Sequence, residues 1–422
     1  MRSRLNKRRT RRKNSVKSYR SGNLSPLLKL LGTLFGGAAA IALLVFGIMF
    51  ILEAFFKIDT PLNASGIIGK FAGKINTPLI ESPTPIVTAE PTPTPNPMEG
   101  FEPAALQREL ILPGELNYPW LADPYCFDGT VICSAGKLFD GKVKLQKLVQ
   151  YDISTGNVSE LGISPLNDHL LNPVFNEKWL VYFDANYNYG GGEIRCVNRL
   201  SASSAPQTIK TVYVGQPQIS LDGDLITWIE RTGSEREKIF ACDLSTGENV
   251  TVDYFDNHSS GTSAPDISHG RLVWSAPASF NDSCVKYYDV ALGTSAEFRP
   301  GLFVHDPKFN GKYFAWLDSP HADGAKLYIS DGVSGSTEIA ADVISFDLDE
   351  EFAAYSVEDA VYIYLFETGE TYRITSERES AQLLGVSGGV IFFMDVTSRE
   401  RDIIKYMPSP LRAQATVSEN EG

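Results

Sequence analysis

The chain repeats itself, and the repeat limits what it can fold into. Gln216-Pro217-Gln218-Ile219-Ser220-Leu221-Asp222-Gly223 is followed by Trp228, Asp243 and Gly247. Ala264-Pro265-Asp266-Ile267-Ser268-His269-Gly270 is followed by Trp274, Asp289 and Gly293. Asp306-Pro307-Lys308-Phe309-Asn310-Gly311 is followed by Trp316, Asp331 and Gly335. Each copy reads as a short strand, a tight turn and a second strand ending in an aromatic. A third strand, an Asp-x-x-x-Gly turn and a polar fourth strand complete it. In that turn the Asp side chain can bond its own backbone and Gly supplies a positive φ.

Aligned on the residue ending the second strand, the copies fall at Cys133, Tyr182, Trp228, Trp274, Trp316, Tyr355 and Phe393. The spacings are 49, 46, 46, 42, 39 and 38 residues. A period near 40–45 with four strand-like runs per unit marks a propeller. In six copies a first-strand landmark lies nine residues earlier, at Pro124, Pro173, Pro265, Pro307, Phe346 and Leu384. The expected fold is all-β, a seven-bladed β-propeller over residues 99–412. Gln107-Arg108-Glu109-Leu110-Ile111-Leu112 belongs to no copy. It is expected to pair onto the last blade and close the ring, which removes open sheet edges.

The run Pro-x-Ile-Ser-x-Asp-Gly, a strand, then Asp-x-x-Thr-Gly-Glu resembles the TolB-like propeller repeat, a relative of WD-repeat propellers. The resemblance covers roughly residues 107–412. Ser268-His269-Gly270 and Asn310-Gly311 keep only the Gly of the family turn, and Asp349-Glu350-Glu351 keeps neither its Pro nor its Gly. The resemblance implies an extracytoplasmic interaction domain and carries over no catalytic residue.

What precedes the repeats sets the expected location. Of 38 Lys and Arg, eleven fall in residues 1–29, which contain none of the 51 Asp and Glu. Residues 30–52 follow as an uncharged run. At about 1.5 Å per residue it is long enough for a membrane-spanning helix. The positive-inside rule places the basic tail in the cytoplasm and the remainder outside. A cleaved signal peptide competes, but its apolar region is shorter, roughly 7–15 residues. Residues 53–76 form a juxtamembrane spacer. Residues 77–98 form a Thr/Pro-rich linker that favours extended polyproline II. Residues 413–422 are a C-terminal tail. The expected product is a single-pass membrane protein with an extracytoplasmic propeller.

The acidic body would repel phosphates, which excludes nucleic acid as its partner. Cys126, Cys133, Cys196, Cys242 and Cys284 lack CxxC spacing, so they read as small buried hydrophobes. A Cys126–Cys133 link is the minority reading. There is no Gly-rich phosphate loop, nucleophile elbow or HExxH. No cofactor, metal or catalytic residue is assigned.

Candidate binding residues fall on the face expected to carry long second-to-third-strand loops: Ala135–Gln146, Asp184–Glu193, Glu230–Lys238, Ser275–Cys284 and Asp318–Lys326. Tyr187 and Tyr189 sit in a Gly-rich loop, where Tyr adds contact area and Gly adaptability. Phe280 and His321 lie in sister loops. His169, His258 and the pair His305–Asp306 stand beside acids before three first strands. His with carboxylate suits acid–base work, so a glycan- or peptide-directed propeller enzyme is the alternative. Asp347, Asp349, Glu350 and Glu351 read as a solvated acidic turn. The favoured expectation is a binding or scaffold module for a protein or cell-envelope polymer. An exterior sensor subunit is a further alternative.

Overall fold

The computed structural model describes residues 102–411, apart from 114–115, 117, 189, 202–203, 233–235, 257–262, 279–281, 302, 320–323, 334 and 398–402. The tail, apolar run, spacer and linker expected over residues 1–98 lie outside the described residues. Among the described residues no helix is long and apolar enough to cross a membrane.

A helical turn at Pro103–Leu106 leads into β1 (Arg108–Glu109). Next come β2 (Trp120–Phe127), β3 (Thr130–Phe139), β4 (Lys142–Asp152) and β5 (Val158–Glu160). The second sheet holds β6 (His169–Phe175), β7 (Trp179–Ala185), β8 (Gly192–Asn198) and β9 (Gln207–Val212). The third holds β10 (Ile219–Asp222), β11 (Leu225–Thr232), β12 (Arg236–Asp243) and β13 (Glu248–Asp256). The fourth holds β14 (Asp266–Ser268), β15 (Arg271–Pro277), β16 (Ser283–Asp289) and β17 (Thr294–Phe298). Then follow β18 (Val304–Phe309), β19 (Phe314–Asp318), β20 (Ala325–Ser330), β21 (Thr337–Leu348), β22 (Phe352–Val357), β23 (Ala360–Leu365) and β24 (Thr371–Arg373). The last are β25 (Ala381–Ser387), β26 (Val390–Asp395) and β27 (Ile403–Pro408).

These strands build an all-β propeller, but not seven separate blades. Among the described residues five sheets are four-stranded, and one seven-stranded sheet runs β18 to β24. The copies aligned on Trp316 and Tyr355 share that sheet. The reason is β21, which runs unbroken where a connecting loop was expected. Its first half pairs with β20, from Thr337↔Ile329 to Val343↔Ala325. Its second half pairs with β22, from Val343↔Val357 to Leu348↔Ala353.

The seven alignment residues are all buried, at 4% exposure or less. Each fills space against a neighbouring strand or sheet. Cys133, Val131 and Val149 pack with Phe392 and Tyr406, joining the first sheet to the last. Trp228 and Ile226 pack with Val181 and Phe183 of the preceding sheet.

The landmark prolines have a structural cause that the sequence did not disclose. In β2, Asp123 and Pro124 together oppose Cys133, because the register shifts between Ala122 and Tyr125. The same two-for-one bulge places Asn172 and Pro173 opposite Tyr182, and Asp306 and Pro307 opposite Trp316. A bulge leaves the extra residue outside the ladder, so proline costs no hydrogen bond there. Asp123, Asn172 and Asp306 adopt φ of 50°, 47° and 49°. That left-handed region is tolerated best, after Gly, by Asn and Asp.

The ring closes as expected. Arg108 and Glu109 pair antiparallel with Tyr406 and Lys405, and the Leu110 amide donates to Ile404 O at 2.9 Å. Leu110 is buried against this seam. All five cysteines are buried thiols, in keeping with their reading as small hydrophobes.

Candidate functional site

Among the described residues, two places combine exposure or a cavity with chemistry. The first is a hairpin. The expected loop Ala135–Gln146 is not irregular: β3 and β4 stay paired out to Phe139↔Lys142 around an Asp140-Gly141 turn. The alternation Lys142-Val143-Lys144-Leu145 is the strand signal that could have found it. A register shift between Ala135 and Lys137 bends the hairpin at Gly136. A Cβ there would lie 2.0 Å from Lys144 O, so only Gly fits. The other expected loops are also shortened by pairing, for example Thr232↔Arg236 and Pro277↔Ser283.

The hairpin tip carries Leu138 and Phe139, exposed at 59% and 60%. Tyr187 of the second sheet stands beside it, 37% exposed. The Lys142 and Lys144 ammoniums lie 4.4 and 5.3 Å from the Tyr187 ring centroid, and Lys144 is 5.4 Å from that of Phe139. Lys144 also bonds Asp168 at 2.8 Å. Hydrogen bonding by Lys144 holds the Asp168 carboxyl below its usual range.

His169 explains why this assembly is fixed in place. It was expected at the rim as a binding group, yet it is 1% exposed. Its Nδ1 accepts the Leu145 backbone N–H at 3.2 Å, and the ring also bonds the Tyr187 backbone. Burial depresses its pKa, so the imidazole is neutral and its lone pair is available. His169 therefore pins the hairpin to the Tyr187 loop. Two of the three glycines of that loop sit at close backbone approaches, whereas Gly190 faces open space. A Cβ on Gly191 would meet Val212 O at 2.6 Å, and one on Gly192 would meet Asp184 O at 2.2 Å.

The second place is the central channel, a cavity of about 610 Å³. Residues of β2, β10, β14, β18, β21 and β25 line it, with Val174 of β6. A ring of polar bonds joins these inner strands in turn. The Asn172 amide donates to Asp123 at 3.0 Å, and its side-chain amide donates to Pro217 O at 3.1 Å. Ser220 Oγ donates to Asp266 at 2.8 Å, and the Asp306 amide donates to Ser263 Oγ at 2.8 Å. Lys308 bonds Asp347 at 2.7 Å, and the Val386 amide donates to the other Asp347 oxygen at 2.7 Å. The Cys126 amide donates to Ser387 Oγ at 2.8 Å and completes the circle.

His305 Nδ1 lies 3.0 Å from Oδ2 of Asp306, and of the two only Asp306 lines this cavity. His169 and His305 are not brought together into one site by any described contact. Tyr189, Phe280, His321 and His258 lie outside the described residues. Among the described residues no group of three or more His, Cys, Asp or Glu is placed to hold a metal.

No family model matches the chain, and no curated protein matches it. Solved structures do resemble it in fold. The β-propeller domain of the Trilobed protease from Pyrococcus furiosus, described as having an open velcro topology, superposes with a TM-score of 0.53 at 14% identity. That match covers 69% of this chain and 95% of that one. A prolyl endopeptidase structure gives a TM-score of 0.50 at 12% identity, covering 69% of this chain and 50% of that one. The oligogalacturonate lyase from Vibrio parahaemolyticus gives 0.49 at 10% identity, covering 69% and 90%. The chain thus spans about half the length of the endopeptidase. At these identities the likeness is one of fold.

Proposed function

We propose that this propeller is a binding module, tethered outside the membrane by residues 30–52, and that its partner is a protein or cell-envelope polymer. The observation that carries the reading is the hairpin patch. Leu138, Phe139 and Tyr187 expose apolar and aromatic surface beside two lysines, on a base fixed by His169. Interface energy concentrates in such rigid aromatic anchors, and exposed apolar clusters rimmed by polar groups favour docking. The lysines suit a partner with acidic groups at the rim.

The repeats read as the TolB-like kind, carried on five four-stranded sheets and one shared seven-stranded sheet among the described residues. Seven inner strands contribute to the channel wall, and β21 serves the two halves of its one sheet in turn. The Asp152 to Gly156 and Asp243 to Gly247 turns both close with Gly N–H to Asp O bonds, of 2.8 and 2.7 Å. The enzyme alternative rests on the His305–Asp306 pair, and among the described residues no group of three or more His, Cys, Asp or Glu stands there to hold a metal.

The test is a titration. Phe139→Ala with Tyr187→Ala should weaken partner binding by about 1–2 kcal/mol with the melting temperature nearly unchanged. Unchanged affinity in this double variant refutes the hairpin as the binding face. Protease added to intact cells should release a fragment beginning within residues 77–100. Protection of the propeller with the basic tail exposed refutes the orientation.

A further inference from the structure

The outer half of the β3–β4 hairpin has little sheet around it. β2 pairs with β3 only as far as Gly136, and β5 covers β4 only from Val149 to Tyr151. From Lys137 to Phe139 and Lys142 to Lys144 the hairpin is a two-stranded ribbon among the described residues. Such a ribbon is marginal without other support. Its support comes from the second sheet. Val143 and Leu145 seat in that sheet's core, and the dipeptide Asp168–His169 grips the backbone.

That dipeptide holds both parts of the exposed patch. Asp168 accepts the Lys144 ammonium at 2.8 Å and the Tyr187 amide. His169 Nδ1 accepts the Leu145 amide at 3.2 Å, and the other ring nitrogen donates to the Tyr187 carbonyl. The base is rigid, because Asp184 accepts the Leu166 and Asn167 amides at 2.8 and 2.9 Å and the Asp168 amide donates to Ala185 O at 2.9 Å. One ring nitrogen accepting while the other donates requires the neutral imidazole. A proton on Nδ1 would meet the Leu145 N–H head-on and break that bond.

The charges around the ring do not relieve this. Burial, the largest influence, disfavours the imidazolium; Asp168 favours it and Lys144 opposes it. A protonated ring would put two cations on the one Asp168 carboxylate. On β7 and β8, Asp184 and Arg195 are already paired with each other at 3.3 Å. Of the inner strands packed on β6, β2 gives Asp123 to the Asn172 amide and β10 gives Asp222 to the Gly270 amide. Among side-chain types, histidine is the one that ordinarily changes charge between pH 5 and 8.

We propose that His169 is an acid-release latch for the binding hairpin: a proton from solvent on Nδ1 frees the hairpin from the Tyr187 loop, splits the patch formed by Leu138, Phe139 and Tyr187, and so releases the partner. This deepens, and rests on, the reading of the hairpin as the binding face. The patch is whole at neutral pH and comes apart in mild acid.

Hydrogen–deuterium exchange of the full chain in detergent, at pH 7.5 and 5.5, tests the latch. Rates are corrected for the intrinsic pH dependence of amide exchange, and β22 serves as the internal reference. With an ordinary histidine pKa of about 6.5 in the open form, the opening constant of residues 137–145 should rise about tenfold between the two pH values. It should rise less than about twofold in His169→Gln, whose amide oxygen can accept the Leu145 N–H and does not titrate. In intact cells, a photoreactive phenylalanine analogue at Phe139 should lose its adduct at pH 5.5 in the wild type and keep it in His169→Gln. An unchanged opening constant in the wild type overturns the proposal. So does an equal rise in a folded His169→Gln variant, or an equal rise in β22, which would mean loosening of the whole ring. The wild-type comparison decides alone if the variant does not fold. Opening as expected with no Phe139 adduct at either pH refutes the binding face and not the latch. Equal adducts at both pH values with unchanged opening refute the latch and leave the binding face.

Discussion

The backbone amide of Cys126 donates to Ser387 Oγ at 2.8 Å, across 261 residues of sequence. It joins the first inner strand of the repeats to the last. On the outer side, β1 joins β27 and the Tyr151 and Tyr406 hydroxyls meet at 3.1 Å. The ring is thus closed twice, once at the channel and once at the rim. Closure should act on the whole ring, because every blade then has two neighbours. A domain beginning at residue 99 should melt in one transition. One beginning at residue 114 should melt at lower temperature, still in one transition. Ser387→Ala should cost about 1–2 kcal/mol by orphaning the Cys126 N–H. Calorimetry checks all three, and a shortened domain that melts like the longer one contradicts the outer closure.

His169 should make stability depend on pH near neutrality. Burial lowers its folded pKa below the ordinary 6.5. A group depressed in this way contributes stability above its unfolded pKa, and that contribution is lost as pH falls through 6.5 toward the folded value. Protonation would also place a hydrogen on Nδ1, where the Leu145 N–H already points. His169→Ala should cost about 1–3 kcal/mol by leaving that N–H unsatisfied. His169→Gln should flatten the decline in urea stability between about pH 7 and pH 5. An unaltered pH slope in a folded His169→Gln variant counts against this role.

Asp152 should set part of the acid limb. Ser154 and Thr155 hydrogen bonds lower its carboxyl to about 2. The Ser154 hydroxyl donates at 2.6 Å, and the Ser154 and Thr155 amides at 2.9 and 2.8 Å. Its contribution is complete above the unfolded value of 3.8 and is lost as pH falls toward about 2. Asp152→Asn should lower stability at pH 7 and reduce the loss seen below pH 4. Parallel acid-denaturation curves for the two proteins would contradict the assignment.

Much of the scaffold was legible because repeated physical demands leave repeated residues. Cys133 through Phe393 all proved buried, since each fills the same position in its copy. The blade boundary at β21 was not legible. Thr337–Leu348 carries no Gly or Pro to separate a fourth strand from a first, and Asp342, at a φ of 57°, turns the strand without ending it, which periodicity alone does not say. The site was read less well than the scaffold. A histidine beside an acid looks the same in sequence whether it faces water or pins a hairpin, and only packing distinguishes them. Gly191 and Gly192 likewise read as freedom but serve close backbone approach.

The central claim, that the hairpin side of this propeller is its binding face, is tested most directly by site-specific photocrosslinking in the cells that make the protein. A photoreactive phenylalanine analogue at Phe139 or at Tyr187 should each give a discrete higher-mass adduct. The same group at Ser154, on the tight-turn face, should give none. Adducts from Ser154 together with none from Phe139 and Tyr187 would contradict the account.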